Sequence, residues 1–288
     1  MTVLVPVSID DALTALQSRP DSTLLAGGTD YMVQVNFGHS RPADVIALRR
    51  VTQLRNWHRS GDTLTLGAGL TYTDFLDPEL ASMVPALAQA ARTVGSPQIR
   101  NAGTLGGNVA TASPAGDTLP VLIALDAEVV LQSAERGVRR VPLRDFIVGV
   151  KRTVREPDEL IVEVDVPVLE GGQEYLKVGT RNAMVISVAG VALVVDRVGQ
   201  NVRCGLGSVG PVPLRCPQAE AYAATEIDWS AMSIHAGALG EFGRLAALAA
   251  SPITDHRSTA EYRRHVVGVC AARALERVVS THGGPDHD

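Results

Sequence analysis

The residues able to do chemistry concentrate between Gln98 and Pro120, in the stretch QIRNAGTLGGNVATASPAGDTLP. Gly106 and Gly107 lack a Cβ, so the backbone there can take φ > 0 and turn successive N–H groups inward as a nest for an anion. A pyrophosphate suits that geometry. Thr104, Asn108, Thr111 and Ser113 add short polar side chains able to bond to a sugar or polyol, and Asp117 adds a carboxylate. A second stretch, TLLAGGTDYM from Thr23 to Met32, repeats the arrangement: an apolar run through Ala26, then Gly27-Gly28, then Thr29 and Asp30 as caps for a following helix. Two such loops in one domain could cradle one nucleotide from both sides. The chain has four Gly-Gly pairs, so a pair alone says little, and periodicity leaves open that both loops are simply tight turns.

Little else in the sequence carries chemistry. There is no GxSxG, no Cys-His pair and no pair of carboxylates at a readable spacing. Cys204, Cys216 and Cys270 form no CxxC and are too few for the four thiolates of an iron–sulfur cluster, and the seven histidines make neither HExxH nor His-x-His. The expectation is one organic cofactor and no metal on this chain.

The elements that must position the loops read as α+β. A chain of 288 residues, 45% hydrophobic, is long enough for two domains, each with its own core. Net charge is −5, without long basic or acidic runs, so neither nucleic acid nor an anionic membrane is an expected partner. Arg139-Arg140 and Arg263-Arg264 read as solvated faces. The N-terminus lacks a basic leader region, and the longest apolar run, Ala183 to Val195, is shorter than the ~20 residues of a spanning helix, so the cytoplasm is the default.

Val3 to Val5 reads as a strand, and Ser8 with Asp11 has capping-box spacing ahead of a helix carrying Ile9, Ala12, Leu13 and Leu16 on one face. A strand at Leu24 to Ala26, a helix at Tyr31 to Val35 and a strand at Val45 to Leu48 complete a βαβαβ-like unit. A hairpin follows, turning at Ser60-Gly61-Asp62. Val84 to Val94 forms a helical stripe ahead of the second loop; beyond it come a helix at Pro120 to Leu125 and strands at Glu128 to Leu131 and Ile161 to Val166. Glu170-Gly171-Gly172 reads as a linker. An antiparallel meander then covers Tyr175 to Val178, Val185 to Val195 and Val202 to Leu206. Helices follow at Gln218 to Ala224 and Ala236 to Ala250, with a last one capped by Ser258 and Glu261. These readings place a two-subdomain fold over residues 1–168 (about 1–53 and 54–168), a smaller domain of antiparallel sheet plus helices over 173–280, and a frayed tail at 281–288.

AGGTD at 26–30 and TLGGN at 104–108, with QIRN before the second and ASPAGD after it, resemble the FAD-binding subunit of the molybdenum hydroxylases of the xanthine and carbon monoxide dehydrogenase type. The resemblance extends through ELIVEVDVP, YLKVGTRNAM and DHRSTAEYRRHV, in order over nearly the whole chain. It implies that Ala26, Gly27, Gly28, Thr29 and Asp30, with Thr104, Gly106, Gly107 and Asn108, wrap the FAD pyrophosphate and ribityl chain, and that Thr111 and Asp117 bond nearby, Asp117 to the polyol. By the same resemblance Ile161 lines the flavin ring and Lys177 reaches the isoalloxazine region, where a cation polarises the carbonyls; as a residue in a strand, Lys177 reads equally well as an edge lysine in solvent. Two positions depart from the family: Val94 replaces an aromatic, and Val185 replaces an Asp.

The implied function is electron transfer from iron–sulfur clusters through FAD to NAD, a quinone, dioxygen or another acceptor. Molybdopterin would sit on a large partner subunit and 2Fe-2S clusters on a small one, in a dimer of heterotrimers. FAD is expected without a covalent tether, because neither loop contains His or Cys and the nearest histidines, His39 and His58, read as exposed. Two rivals are a self-contained flavoenzyme and a non-catalytic nucleotide-binding scaffold.

Overall fold

A computed structural model describes residues 2–38 and 44–282 of the chain, with side chains to residue 279. His39 and the last six residues of the expected tail lie outside them. In chain order the elements that position the site are β1 (Thr2–Leu4), α1 (Ile9–Ser18), β2 (Thr23–Leu25), α2 (Tyr31–Asn36), β3 (Asp44–Ala47), β4 (Trp57–Ser60) and β5 (Thr63–Gly67). There follow α3 (Pro78–Met83), α4 (Pro85–Thr93), α5 (Pro97–Ala102), α6 (Leu105–Thr111), α7 (Leu119–Ala124), β6 (Glu128–Ser133), β7 (Gly137–Pro142), α8 (Leu143–Phe146), β8 (Ile147–Gly149), β9 (Arg152–Thr153) and β10 (Leu160–Pro167). The C-terminal part holds β11 (Gln173–Gly179), β12 (Ser187–Asp196), β13 (Asn201–Gly207), β14 (Leu214–Arg215), α9 (Pro217–Glu226), the short pair β15 (Ile227–Asp228) and β16 (Ser233–Ile234), α10 (Ala236–Ala249) and α11 (Ala260–His282).

The chain forms two compact units, each discontinuous in sequence: residues 1–75, 96–112 and 126–167 in the first, and 76–95, 113–125 and 168–288 in the second. The first unit holds a parallel three-stranded sheet, order β1-β3-β2, and an antiparallel five-stranded sheet, order β4-β5-β10-β6-β7. Ser8 caps α1 as its spacing predicts, its hydroxyl accepting from Asp11 N at 3.0 Å. Ala12, Leu13 and Leu16 of α1 are buried with Ile46, Val130, Leu160 and Val162, which ties the small sheet to the large one. Arg139 and Arg140 are not merely solvated: Arg139 grips the buried carboxylate of Glu159 with two bonds of 2.6 and 2.8 Å, and Arg140 pairs with Asp165.

The second unit is an antiparallel sheet, β11-β12-β13-β14, flanked by helices. Every residue of β12 is buried, which is why its sequence from Val188 to Val195 is a continuous apolar run rather than an alternation. Ala189, Val191, Leu193 and Val195 pack with the buried faces of α9, α10 and α11. On β13, side-chain-free Gly205 admits the first turn of α7, since a Cβ there would lie 2.0 Å from Pro120 O.

Two local expectations are corrected in this unit. Arg263 is fully buried, one terminal nitrogen donating to Val188 O and Ser208 O at 2.8 and 2.9 Å and the other pairing with Asp255 at 2.6 Å, while its Nε has no partner among the described residues; these bonds offset most of the cost of burying its charge. The last helix is capped by Thr259, whose hydroxyl accepts from Tyr262 N at 3.2 Å, while Ser258 is drawn into a turn closed on Asp255. The 170–172 stretch follows the passage from the first unit to the second after Pro167, as a linker should, and is held to its own unit where Gly172 O and Glu170 O accept from Val195 N and Arg197 N at 2.9 and 2.7 Å.

Candidate functional site

In the first unit the two glycine stretches are brought into contact. A Cβ on Gly27 would stand 1.7 Å from Ala102 O, so only glycine lets the first loop lie on the turn between α5 and α6. Gly28 has φ +73°, in the left-handed region, and bends the chain into α2. Asp30 occupies the N-cap position of α2 without making a cap bond; its carboxylate takes Gln34 Nε2 at 2.8 Å instead. Among the described residues, no protein acceptor takes the N–H groups of Gly27, Gly28, Thr29 and Asp30. Four successive donors without protein acceptors around a left-handed glycine are an anion cradle.

The second glycine pair works differently from its sequence-based expectation. Gly106 and Gly107 have ordinary φ and form the first turn of α6, and their N–H groups are already engaged: Gly106 N donates to Ala68 O at 2.8 Å, and Gly107 N to the Thr104 hydroxyl at 3.0 Å. Thr104 is therefore the N-cap of α6. Gly106 is needed for packing, since a Cβ would come within 2.6 Å of Ala68 Cβ. Gly107 is less constrained: a Cβ there would meet the capping Thr104 hydroxyl alone, at 2.9 Å, and would have to displace it slightly. Leu105, Gly106 and Val109 are buried, whereas Gly107, Asn108 and Thr111 are half-buried and share the opposite, accessible face at helical spacing. Ala68, which holds Gly106, in turn donates to Val162 O at 2.9 Å, where β10 bulges; Ile161 lies buried at that bulge.

In the second unit Asp117 and Lys177 meet. Lys177 Nζ lies 2.7 Å from Asp117 Oδ2 and 3.2 Å from Thr93 O, and the Tyr175 hydroxyl donates to Asp117 Oδ1 at 3.0 Å. Lys177 is thus buried, not a strand-edge lysine in solvent. Burial pushes the Asp117 carboxyl above the usual carboxylate range, opposed by the Lys177 charge and by the two hydrogen bonds; burial and then the Asp117 charge push the Tyr175 phenol well above its usual value. Each carboxylate oxygen keeps a lone pair, so Asp117 can still accept from a polyol hydroxyl. Gln89 fixes the start of the strand, accepting from Tyr175 N at 2.6 Å and donating to Glu174 at 3.1 Å.

Sequence reasoning missed Tyr175 and Gln89. Tyr175 was discoverable: it stands two residues before Lys177 on a strand, hence on the same face. Gln89 lies on α4, far from β11 in sequence, and nothing local marks it.

The cradle, the open Gly107 face and the hydroxyl and amide donors fit a dinucleotide's pyrophosphate and polyol. Comparison with known proteins decides the family. The FAD binding domain in molybdopterin dehydrogenase matches residues 1–169, and the CO dehydrogenase flavoprotein C-terminal domain matches residues 174–278. The chain belongs to the FAD-binding subunit family of the molybdenum hydroxylases. It is 37% identical to the nicotinate dehydrogenase FAD-subunit of Eubacterium barkeri over 75% of this chain and 76% of that one. It is 34% identical to the nicotine 6-hydroxylase medium subunit of Paenarthrobacter nicotinovorans over 94% of each. Among solved structures, carbon monoxide dehydrogenase from Hydrogenophaga pseudoflava superimposes with a TM-score of 0.86 at 30% identity, over 98% of this chain and 97% of that one. As a member of this family the chain is an FAD-binding component of an oxidoreductase, and its α+β architecture is that of the relatives. Among the described residues no helix is long and apolar enough to cross a membrane, and no three His, Cys, Asp or Glu side chains cluster as a metal site.

Proposed function

We propose that this chain carries non-covalent FAD and passes electrons from iron–sulfur clusters on a small partner subunit to an external acceptor, within a cytoplasmic, molybdenum-dependent hydroxylase or dehydrogenase. A large subunit would hold the molybdopterin site where substrate is oxidised, and the assembly would be a dimer of heterotrimers. The observation that carries the reading is the row of four unpartnered N–H groups at Gly27 to Asp30, seated on the turn that opens α6.

In this reading residues 1–168 are the FAD-binding domain and 173–280 the C-terminal domain. Gly27, Gly28, Thr29 and Asp30 hold the pyrophosphate through backbone donors, and Ala26 delivers the chain into that loop. Thr104 fixes the start of α6, and Gly106 seats it on Ala68. Gly107 leaves room for the ligand, and Asn108 and Thr111 bond to its sugar and polyol from the open face of α6. Asp117 accepts from the ribityl chain and is held in place by Tyr175 and Lys177. Ile161 and Lys177 serve the ring. FAD supplies the one chemistry required, accepting electrons in pairs or singly and so linking a two-electron oxidation to one-electron carriers. Many backbone hydrogen bonds, each contributing on the order of 1 kcal/mol net, suffice for tight binding without a tether.

Purification is the test. The protein should be yellow with about one FAD per chain, and acid precipitation should release all the colour. Gly107→Val and Asn108→Ala should lower FAD occupancy more than Lys177→Ala. Co-expressed with molybdopterin and iron–sulfur subunits it should form a stable complex; oxidation of a purine, aldehyde, N-heterocycle or carbon monoxide by this chain alone would overturn the reading.

A further inference from the structure

An FAD pyrophosphate carries two negative charges, yet there is no Lys or Arg from Thr23 to Met32 and none from Asn101 to Thr118, Arg100 standing just ahead of the second glycine pair's turn. The carboxylate of Asp30 adds a third negative charge at the cradle. Backbone N–H groups supply only partial charges, so a full positive charge brought in by another element of the fold would strengthen the site.

The turn between β8 and β9 brings one. Lys151 Nζ lies 3.6 Å from Asp30 Oδ2. The same Asp30 oxygen already takes Gln34 Nε2, which holds the carboxylate on the α2 side of the loop. The Lys151 backbone is left-handed, φ +53°, an unfavourable state for a residue with a Cβ. It is anchored there by its N–H, which donates at 3.0 Å to the carbonyl of Ala112, the left-handed residue that ends α6. Two left-handed, non-glycine residues are thus bonded to each other, one closing the helix that carries Asn108 and Thr111, the other presenting an ammonium to the loop that carries Gly27 and Gly28. A lysine serving only solubility needs no such anchor. Its side chain remains half-exposed, so Nζ is accessible to a ligand.

We infer that Lys151 is a further FAD-binding residue, its ammonium neutralising the pyrophosphate seated on Gly27 to Asp30. The inference rests on the FAD reading above and adds to it a full positive charge placed beside the first loop. Lys151 acts on binding, not on the ring, and it distinguishes FAD from flavins that lack the pyrophosphate.

The full-length chain, stripped of flavin, is titrated with FAD and with riboflavin by flavin fluorescence, in wild type, Lys151→Ala, Lys151→Gln and Lys151→Arg, with far-ultraviolet circular dichroism confirming the fold of each. The Ala and Gln variants should raise the Kd for FAD about tenfold, close to 1.4 kcal/mol by the tenfold constant. They should leave riboflavin affinity unchanged and flatten the salt dependence of FAD binding, since one ionic contact is gone. Lys151→Arg should restore most of the loss. FAD affinity within twofold of wild type in both neutral variants would overturn the inference while leaving the FAD reading intact, and an equal loss for riboflavin would overturn it by showing a disturbed fold. A wild-type chain that binds no FAD would end both.

Discussion

Lys177 Nζ and Asp117 Oδ2 form a 2.7 Å ion pair in which both side chains are more than nine-tenths buried. A pair this deep is weak evidence of added stability, because desolvation offsets much of its attraction; breaking it is another matter. Lys177→Met should destabilise the chain by roughly 3–5 kcal/mol at pH 8, since it strands a buried carboxylate. The cost should shrink on acidification. Burial already holds the Asp117 carboxyl above its ordinary value, and without Lys177 it rises further. A raised carboxyl contributes stability that is complete below its unfolded value and lost as pH rises through the folded one. The variant should therefore lie closer to wild type at pH 5 than at pH 8 in urea denaturation. A penalty independent of pH would mean that Asp117 is ionised to the same extent with and without its partner.

Tyr175→Phe isolates the second bond to the same carboxylate. The ring still fits, and one donor is lost from a buried charged acceptor, so the expected cost is about 1.5–3 kcal/mol. The loss of Tyr175 leaves Lys177 in place, so the variant should retain more stability than Lys177→Met at pH 8. The reverse order in a thermal melt would show that the hydroxyl, not the ammonium, carries the site.

The glycines separate packing from ligand space. Gly27→Ala must push its Cβ off Ala102 O and should cost about 3 kcal/mol or more, the upper range for an overpacked site. Gly107→Ala meets only a hydroxyl and should change stability by less than about 1 kcal/mol, alanine being the better helix former. Melting of the two flavin-free variants tests this. If Gly107→Ala were the less stable, the accessible face of α6 would be wrongly assigned.

Much of this was legible in the sequence where the signal is local. Ser8 and Asp11 cap α1 at their spacing, the turn at Gly61 joins β4 to β5, and β12 declares itself as an unbroken apolar run. Both glycine loops were found, but the nest read into Gly106-Gly107 is a close-packed helix start. Gly-Gly is equally compatible with a nest and with a close-packed helix start, and the choice at Gly106 is made by Ala68, more than thirty residues earlier. Lys177 was equally readable as exposed or buried, because strand periodicity gives its face but not what covers that face; Asp117 and Thr93 do, and both are remote in sequence. Arg263 escaped for a related reason. Beside Arg264 it looks like half of a solvated cluster, and its burial is explained by the carbonyls of Val188 and Ser208 with the Asp255 carboxylate, all remote in sequence or hidden by the turn.

That arginine supplies the last prediction. Arg263 joins the start of α11 to the start of β12 and the end of β13, with Asp255 as its counter-ion and Arg257 as a second cation on the same carboxylate. The hydrogen bonds from Arg257, assisted by those of Arg263, hold the Asp255 carboxyl well below the ordinary carboxylate range. A depressed carboxyl contributes stability that is present above its unfolded value, near 4, and is lost as pH falls toward the folded one. Asp255→Asn should therefore destabilise the chain at pH 7, and wild type should lose that advantage between about pH 4 and pH 2. Arg263→Met should cost more, on the order of 3–5 kcal/mol, because two buried carbonyls lose their donor and the Asp255 carboxylate loses one of its two cations. Urea denaturation of both variants across that pH range measures the two effects, and a gap between wild type and Asp255→Asn that stayed constant down to pH 2 would show that the Asp255 charge does not contribute to the fold.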